Sequence, residues 1–357
     1  MRNLIFILLG LGALFSATVW ALPKVSYPEV KPGTAIAFPR DHGSHDDYRT
    51  EWWYFTGWLE TEDGEPLGFQ MTFFRSRPDI KQGNPSAFSP DQIIFAHAAL
   101  SDPAKGKLIH DQRIARSGFD IAYTKTGDTD LRLLDWQLQR SADGNGFVGK
   151  INGEKFSLDL VLTPTQPVML NGKAGYSQKG PRPSQASYYF SMPQLLVSGF
   201  IGKDGKRMKA TGQAWLDHEW SSDVLPKNAV GWDWTGLNFD DGSALMVFQV
   251  RGRDGDAVYA GGTFRDVDGR QIIFAPHQVR FVPKRRWVSP ETGAVYPVEA
   301  EFAVQIDDQW RRYPLKPLFD AQELTGPFTP TYWEGAVTTT GGRGYLEMTG
   351  YDEDISL

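Results

Sequence analysis

The 357-residue chain contains no cysteine. That excludes disulfides, zinc–thiolate centres, iron–sulfur clusters and thiol nucleophiles. It has no surplus of positive charge either. Its 43 acidic and 37 basic side chains give a net charge of −6, so the concentrated cationic surface that nucleic-acid binding needs is missing. After the first few residues, no apolar run reaches the ~20 residues of a membrane span. There is no Gly-x-Ser-x-Gly elbow, no phosphate-cradling glycine loop and no His-Glu-x-x-His, which leaves serine-triad hydrolases and nucleotide enzymes without support. No segment holds a helical period over several turns.

What the chain does have is aromatic bulk and turn residues: 13% aromatic side chains including 12 tryptophans, with 37 glycines and 23 prolines. Asp-Gly pairs occur at Asp63-Gly64, Asp143-Gly144, Asp204-Gly205, Asp241-Gly242, Asp254-Gly255 and Asp268-Gly269, and Asn-Gly pairs at Asn145-Gly146, Asn152-Gly153 and Asn171-Gly172. Such dipeptides accept the positive φ of tight hairpin turns. Between them lie short alternating runs such as Phe156 to Leu162. The pattern predicts an all-β chain of antiparallel strands closed into barrels or sandwiches.

The N-terminus reads as an export leader. Met1-Arg2-Asn3 precedes the apolar run Leu4 to Phe15, and Val19-Trp20-Ala21 is suited to cleavage after Ala21. A periplasmic or secreted mature protein is expected, one that makes no use of disulfides in that setting.

An internal repeat divides the remainder. Trp53-Tyr54-Phe55-Thr56-Gly57 returns about 180 residues later as Trp232-Asp233-Trp234-Thr235-Gly236. Each copy is followed by Asp-Gly, then by Phe-Gln (Phe69-Gln70, Phe248-Gln249), then by an arginine (Arg75, Arg251). The spacing suits one ligand-sized, calycin-type barrel per copy. The expected domains are residues 22–195 and 196–357.

Three clusters carry possible chemistry. On a strand, Trp215-Leu216-Asp217-His218-Glu219-Trp220 places Trp215, Asp217 and Glu219 on one face and Leu216, His218 and Trp220 on the other. A carboxylate beside an aromatic wall acquires the raised pKa of a general acid, and His218 is a candidate proton shuttle. The alternative is a structural network in which these acids satisfy Arg75 or Arg251. In Trp232-Asp233-Trp234 the indoles share one face and the carboxylate takes the other. Aromatic faces of this kind stabilise a cation or line an apolar pocket. The loop His42-Gly43-Ser44-His45-Asp46-Asp47 has metal-ligand residue types without a third ligand pattern, and is expected to pack over a barrel mouth and hold no metal. His97, His110 and His277 are isolated and are expected to be structural.

Phe38-Pro39-Arg40-Asp41-His42-Gly43, leading to Glu51-Trp52-Trp53-Tyr54-Phe55-Thr56-Gly57, resembles the opening signature of the AttH-like and carotenoid 1,2-hydratase (hydroxyneurosporene synthase) family. Gly212 to Trp220 and Gly231 to Trp234 resemble its central signature. Tyr332-Trp333-Glu334-Gly335 and Gly344 to Tyr351 resemble its closing strands. The resemblance spans residues 38–352 and implies two tandem lipocalin-like barrels. Family members hydrate terminal isoprenoid double bonds, catalyse related cyclisations, or are secreted proteins of unknown activity, and the secreted AttH-like branch is the nearer one. Carried across, the resemblance points to His218 and Trp220, with Asp217 or Asp233 as proton donor.

The expectation is therefore an exported, monomeric protein that encloses a hydrophobic small molecule without a cofactor. Asp217, His218 and Asp233 are the catalytic candidates. Trp53, Tyr54, Trp215, Trp220, Trp232 and Trp234 are the ligand-binding candidates. Its rivals are a non-catalytic periplasmic carrier serving envelope transporter components and a secreted hydrolase.

Overall fold

The structure is a computed structural model that describes residues 25–79, 86, 88–326 and 330–355. The expected leader through Ala21 lies outside these residues. Among them there is no α-helix, only strands and two short 3-10 turns.

The first sheet has β1 (Thr50–Thr61), β2 (Pro66–Ser76), β3 (Ile93–Asp102) and β4 (Lys107–Arg116). It continues with β5 (Ala122–Thr124), β6 (Asp130–Leu133), β7 (Trp136–Arg140), β8 (Phe147–Asn152) and β9 (Phe156–Thr163). The short β10 (Met169–Leu170) and β11 (Tyr176–Gln178) precede two long strands, β12 (Ala186–Lys203) and β13 (Lys206–Asp223). The second sheet begins with β14 (Ala229–Phe239), β15 (Ala244–Gly252), β16 (Ala257–Arg265) and β17 (Gln271–Phe274). It ends with β18 (Val279–Val288), β19 (Val295–Ile306), β20 (Gln309–Pro317), β21 (Glu323–Leu324), β22 (Tyr332–Thr339) and β23 (Gly342–Thr349).

The order in the first sheet is β4-β3-β2-β1-β13-β12-β9-β8-β7-β6-β5, antiparallel throughout, and β3 and β4 curl back to meet β5 and β6. The second runs β17-β16-β15-β14-β23-β22-β20-β19-β18, with β15 and β16 approaching β18. These are the two lipocalin-like barrels that the repeat and the resemblance predict. All six Asp-Gly glycines sit at positive φ, between +71° and +88°, in agreement with their reading as hairpin turns.

The expected boundary at 195/196 falls inside β12. Both β12 and β13 pair within the first sheet, with β13 hydrogen-bonded to β1 across its full length, so the chain changes sheets between Asp223 and Ala229. A loop rich in Pro, Gly and Ser (163–190) marks a detour before the last two strands of the first barrel, not its end.

Each barrel has its own interior core: Trp53, Phe55, Phe69 and Phe73 in the first, and Leu237, Val247, Trp333 and Leu346 in the second. A third cluster, including Tyr54, Trp58, Trp215, Trp234, Phe248 and Tyr345, forms where the outer faces of β1 and β13 meet those of β14, β15 and β23. Burial of both faces of β1, β13 and β14 follows. The Trp58 indole donates across the seam to the Gly344 carbonyl at 3.0 Å, and Asn238 donates to the Ala214 carbonyl at 3.1 Å. The contact is close enough to require glycine. A Cβ on Gly236 would lie 2.7 Å from the Trp234 ring and 3.0 Å from Trp215.

Candidate active site

Between the barrels the seam opens into a cavity of about 240 Å³. Trp52 and Tyr54 of β1 and Asp217 and Glu219 of β13 form one wall. Trp232 and Trp234 of β14, with Phe248 of β15, face them. The antiparallel register sets this up, because Trp52 lies opposite Glu219 and Tyr54 opposite Asp217, so all four project from one face. The cavity is thus enclosed by the outer faces of two barrels and is not the interior of either.

Asp217 is the strongest chemical candidate in the cavity wall. Among the described residues, no arginine or lysine bonds to it. Its Oδ1 accepts from the Trp215 indole at 2.7 Å and from the Ser191 hydroxyl, while Oδ2 accepts from the Tyr189 hydroxyl at 2.5 Å. The Trp234 indole in turn donates to Tyr189 at 3.1 Å, tying both barrels to this carboxyl. Burial pushes Asp217 up to about 7, past the opposing pull of its three donors, and the Glu219 charge adds to the rise. Its neighbour Glu219 is neutralised by Lys179 at 3.0 Å, and that ammonium lies over the Tyr189 and Phe248 rings.

Two further carboxyls come from the closing strands. Glu347 of β23 accepts from the Trp232 indole at 2.7 Å. Burial lifts it to about 7, against the pull of that bond, with added repulsion from Asp217 and Glu219. Glu334 of β22 accepts from Gln70 Nε2 at 2.6 Å and is held well above the ordinary carboxylate range by burial and by Glu347. Both belong to the closing signature, but no local pattern there marks either as functional. They lie more than 100 residues from Asp217, and only the packing of the barrels brings them to one cavity.

Of the predicted site residues, Asp217, Tyr54, Trp232 and Trp234 line the cavity, and Trp215 supports it by holding Asp217. The remaining four do not reach it. Trp53, His218 and Trp220 are on the other face of β1 and β13, inside the mouth of the first barrel. There His218 stacks on Trp53 with ring centres 4.6 Å apart. Asp233 points into the second barrel, where Arg251 Nε (3.1 Å), Gln249 Nε2 (2.8 Å) and the Tyr351 hydroxyl (2.8 Å) satisfy it. It is a paired acid of the second barrel's interior and does not take the proton-donor position at the cavity that the sequence suggested; the arginine pairing expected as the alternative for Asp217 and Glu219 occurs here instead.

The physical reason is a change of face between the repeats. Trp53 and Phe55 point into their barrel, whereas the corresponding Trp232 and Trp234 point out into the seam. Strand side chains alternate with period two, so a one-residue offset in which face turns inward reverses the whole motif.

The His42–Asp47 loop closes the mouth of the first barrel. The His42 carbonyl accepts from the Trp53 indole at 3.0 Å, and the His45 ring stacks on Trp220 at 3.7 Å. His45, Glu51 and His218 each place one donor atom within 4.8 Å of the others, a spacing compatible with a metal. Protons explain the arrangement more directly. His45 bonds Glu51 at 2.7 Å through Nδ1 and Asp41 at 3.2 Å through Nε2, as an imidazolium does. The Arg75 guanidinium, 2.8 Å from the other oxygen of Glu51, already supplies a fixed positive charge to the same carboxylate. Burial opposes the charged ring, but Glu51 and Asp41 outweigh it and raise the His45 pKa above its ordinary value.

The fold has counterparts among known proteins. No curated protein matches the chain. A solved AttH-type protein from Nitrosomonas europaea is 52% identical, with a TM-score of 0.84 over 91% of this chain and 100% of that one. Kievitone hydratase from Nectria haematococca, at 14% identity, shares the fold with a TM-score of 0.68 over 92% of this chain and 97% of that one. The AttH-like family model matches residues 29–351, nearly all of the described structure, and the chain belongs to the AttH-like family.

Proposed function

We propose that the protein binds an apolar, isoprenoid or lipid-like molecule between its barrels and adds water across a carbon–carbon double bond, or removes it. The observation that carries this reading is Asp217, a buried carboxyl facing an aromatic cavity with no lysine or arginine bonded to it among the described residues, opposite a second carboxyl, Glu347, raised to a similar pKa. Two such groups titrating near neutrality share protons, so that one acts as acid while the other is base.

Hydration begins when the alkene π pair takes the proton from Asp217, forming the new C–H bond and leaving positive charge on the more substituted carbon. A water oxygen bonds to that carbon, and Glu347 accepts the proton the water loses. The indole faces of Trp232 and Trp234 offer the negative quadrupole that a transient cation requires. Tyr189, Ser191 and Trp215 hold Asp217 in place and stabilise its anion after transfer. The hydratase fold of the kievitone enzyme is consistent with this class of reaction. The apolar leader Leu4 to Phe15 favours an exported setting. A hydrolase has less support, because the Ser187 and Ser191 hydroxyls bond directly to Glu219 and Asp217 with no histidine between.

The test is native mass spectrometry of wild type and Asp217→Asn purified from the natural host. Catalysis predicts intact ligand on the variant and a ligand differing by one water on the wild type. The same unaltered ligand on both would identify a carrier.

A further inference from the structure

We propose that the end of the cavity remote from Asp217 is a hydroxyl-binding subsite, formed by His97, Gln70 and Glu334, which selects apolar ligands carrying an alcohol or phenol oxygen far from the reacting double bond. The proposal rests on the reading of the cavity as the ligand site and adds to it the substrate's second functional group.

Strand order separates the two ends. Asp217 is on β13, Gln70 two strands away on β2, and His97 three strands away on β3. At about 4.8 Å per strand, Gln70 and His97 lie roughly 10–14 Å from the acid, while Glu334 reaches them from the facing sheet, where it is paired with Glu347. Tyr54 and the facing tryptophans occupy the space between.

Polar atoms at the far end are buried yet unsatisfied. Among the described residues, His97 Nε2, Gln70 Oε1 and Glu334 Oε1 have no hydrogen-bond partner, although their residues are 2%, 1% and 1% exposed and all three line the cavity. Tyr54 Oη faces Glu334 without closing a bond of ordinary geometry. Buried polar groups are nearly always paired, so three convergent orphans describe a partner that comes from outside the chain.

The surrounding bonds set what each orphan offers. Gln70 Nε2 donates to the Tyr332 hydroxyl at 3.1 Å, and that hydroxyl and His97 Nδ1 share a hydrogen bond of 2.7 Å. With the Tyr332 proton in that bond, the imidazole proton lies on Nε2 and points to the cavity. Burial holds His97 down to about 3, so the ring is neutral. Glu334 is held well above the ordinary carboxylate range by burial and Glu347, and because its Oε2 accepts from Gln70, a proton on this carboxyl sits on Oε1. The subsite thus presents two donors and one acceptor. A ligand hydroxyl accepts twice and donates once, which matches all three. A carbonyl leaves Gln70 Oε1 unpaired, an ammonium meets two donors, and a hydrocarbon leaves every orphan dry.

Farnesol and the matched hydrocarbon bearing hydrogen in place of its hydroxyl are the probes, titrated at equilibrium by quenching of tryptophan fluorescence. Wild type should bind farnesol about tenfold to a hundredfold more tightly. His97→Phe keeps a ring against Tyr332 and Phe74, and Gln70→Met keeps the side-chain length. Each should bring the preference toward unity, weakening farnesol binding while hydrocarbon affinity holds or rises. Equal wild-type affinities, no binding of either probe, or a preference that survives in both folded variants would overturn the proposal. Should one variant fail to fold, the other decides. Preference without hydration activity would remove the reaction and leave the subsite standing. Turnover without preference would do the reverse.

Discussion

Replacing Asp217 by asparagine should make the protein less sensitive to alkaline pH, even as it removes the proton the reaction needs. Burial raises this carboxyl from 3.8 to about 7. Between those values the folded chain holds a proton that the unfolded chain has released. Stability therefore falls as pH rises through that window, the contribution being fully present below 3.8 and lost above about 7. A gap of roughly three units at 1.36 kcal/mol each is on the order of 4 kcal/mol, a large share of the 5–15 kcal/mol that typically separates folded from unfolded protein. The amide of the Asp217→Asn variant would carry no such proton, while it could still accept from Trp215 and Ser191. The stability of the variant relative to wild type should thus rise by several kcal/mol from roughly pH 4 to pH 8. Denaturant midpoints measured across that range, with the slope of unfolding checked for constancy, give the difference directly. Groups whose pKa is lowered in the fold, such as Asp41 and Glu51, affect both proteins equally and cancel. Parallel stability curves would show that Asp217 ionises normally in the folded protein, and the general-acid role would fall with them.

Three other outcomes separate the cavity from its supports. Arg251→Met strands the Asp233 carboxylate in the second barrel and should destabilise the protein by about 3–5 kcal/mol in thermal or denaturant unfolding, with ligand binding at the cavity unchanged at temperatures where the variant is folded. Trp232→Phe removes a hydrogen bond that lowers the Glu347 pKa, so the acidic limb of the activity profile should move to higher pH. The His45 pKa is raised above 6.5 in the fold, so the stability from its bridge between Asp41 and Glu51 is complete below 6.5 and is lost as pH rises through the higher folded value. Hydrogen exchange of residues 40–48 should accelerate over that interval in wild type and show no such step in His45→Gln.

Strand alternation and turn chemistry are local, and both could be read from the sequence. Asp217 and Glu219 share a face with Trp215, opposite Leu216, His218 and Trp220, as period-two alternation requires. Which face is the inner one could not be read, because β1, β14 and the Ala214–Ser221 stretch of β13 are buried on both sides and have no exposed stripe to mark an outside. An ordinary lipocalin-like barrel leaves its outer face to water. Here two outer faces cover one another, and Tyr54, Trp58, Trp232 and Trp234 occupy positions that would otherwise be polar. Charged pairing settles the remaining choice. Glu51 with Arg75, and Asp233 with Arg251, are buried inside their own barrels, which turns the adjacent side chains of β1 and β14 toward the seam. The two copies differ in which residue of the motif carries that acid, and the aromatic pair consequently faces inward in one and outward in the other. The aromatic abundance thus has a specific cause: this chain fills two barrel interiors and also a third, inter-barrel layer, and the unneutralised carboxyls lie in that layer.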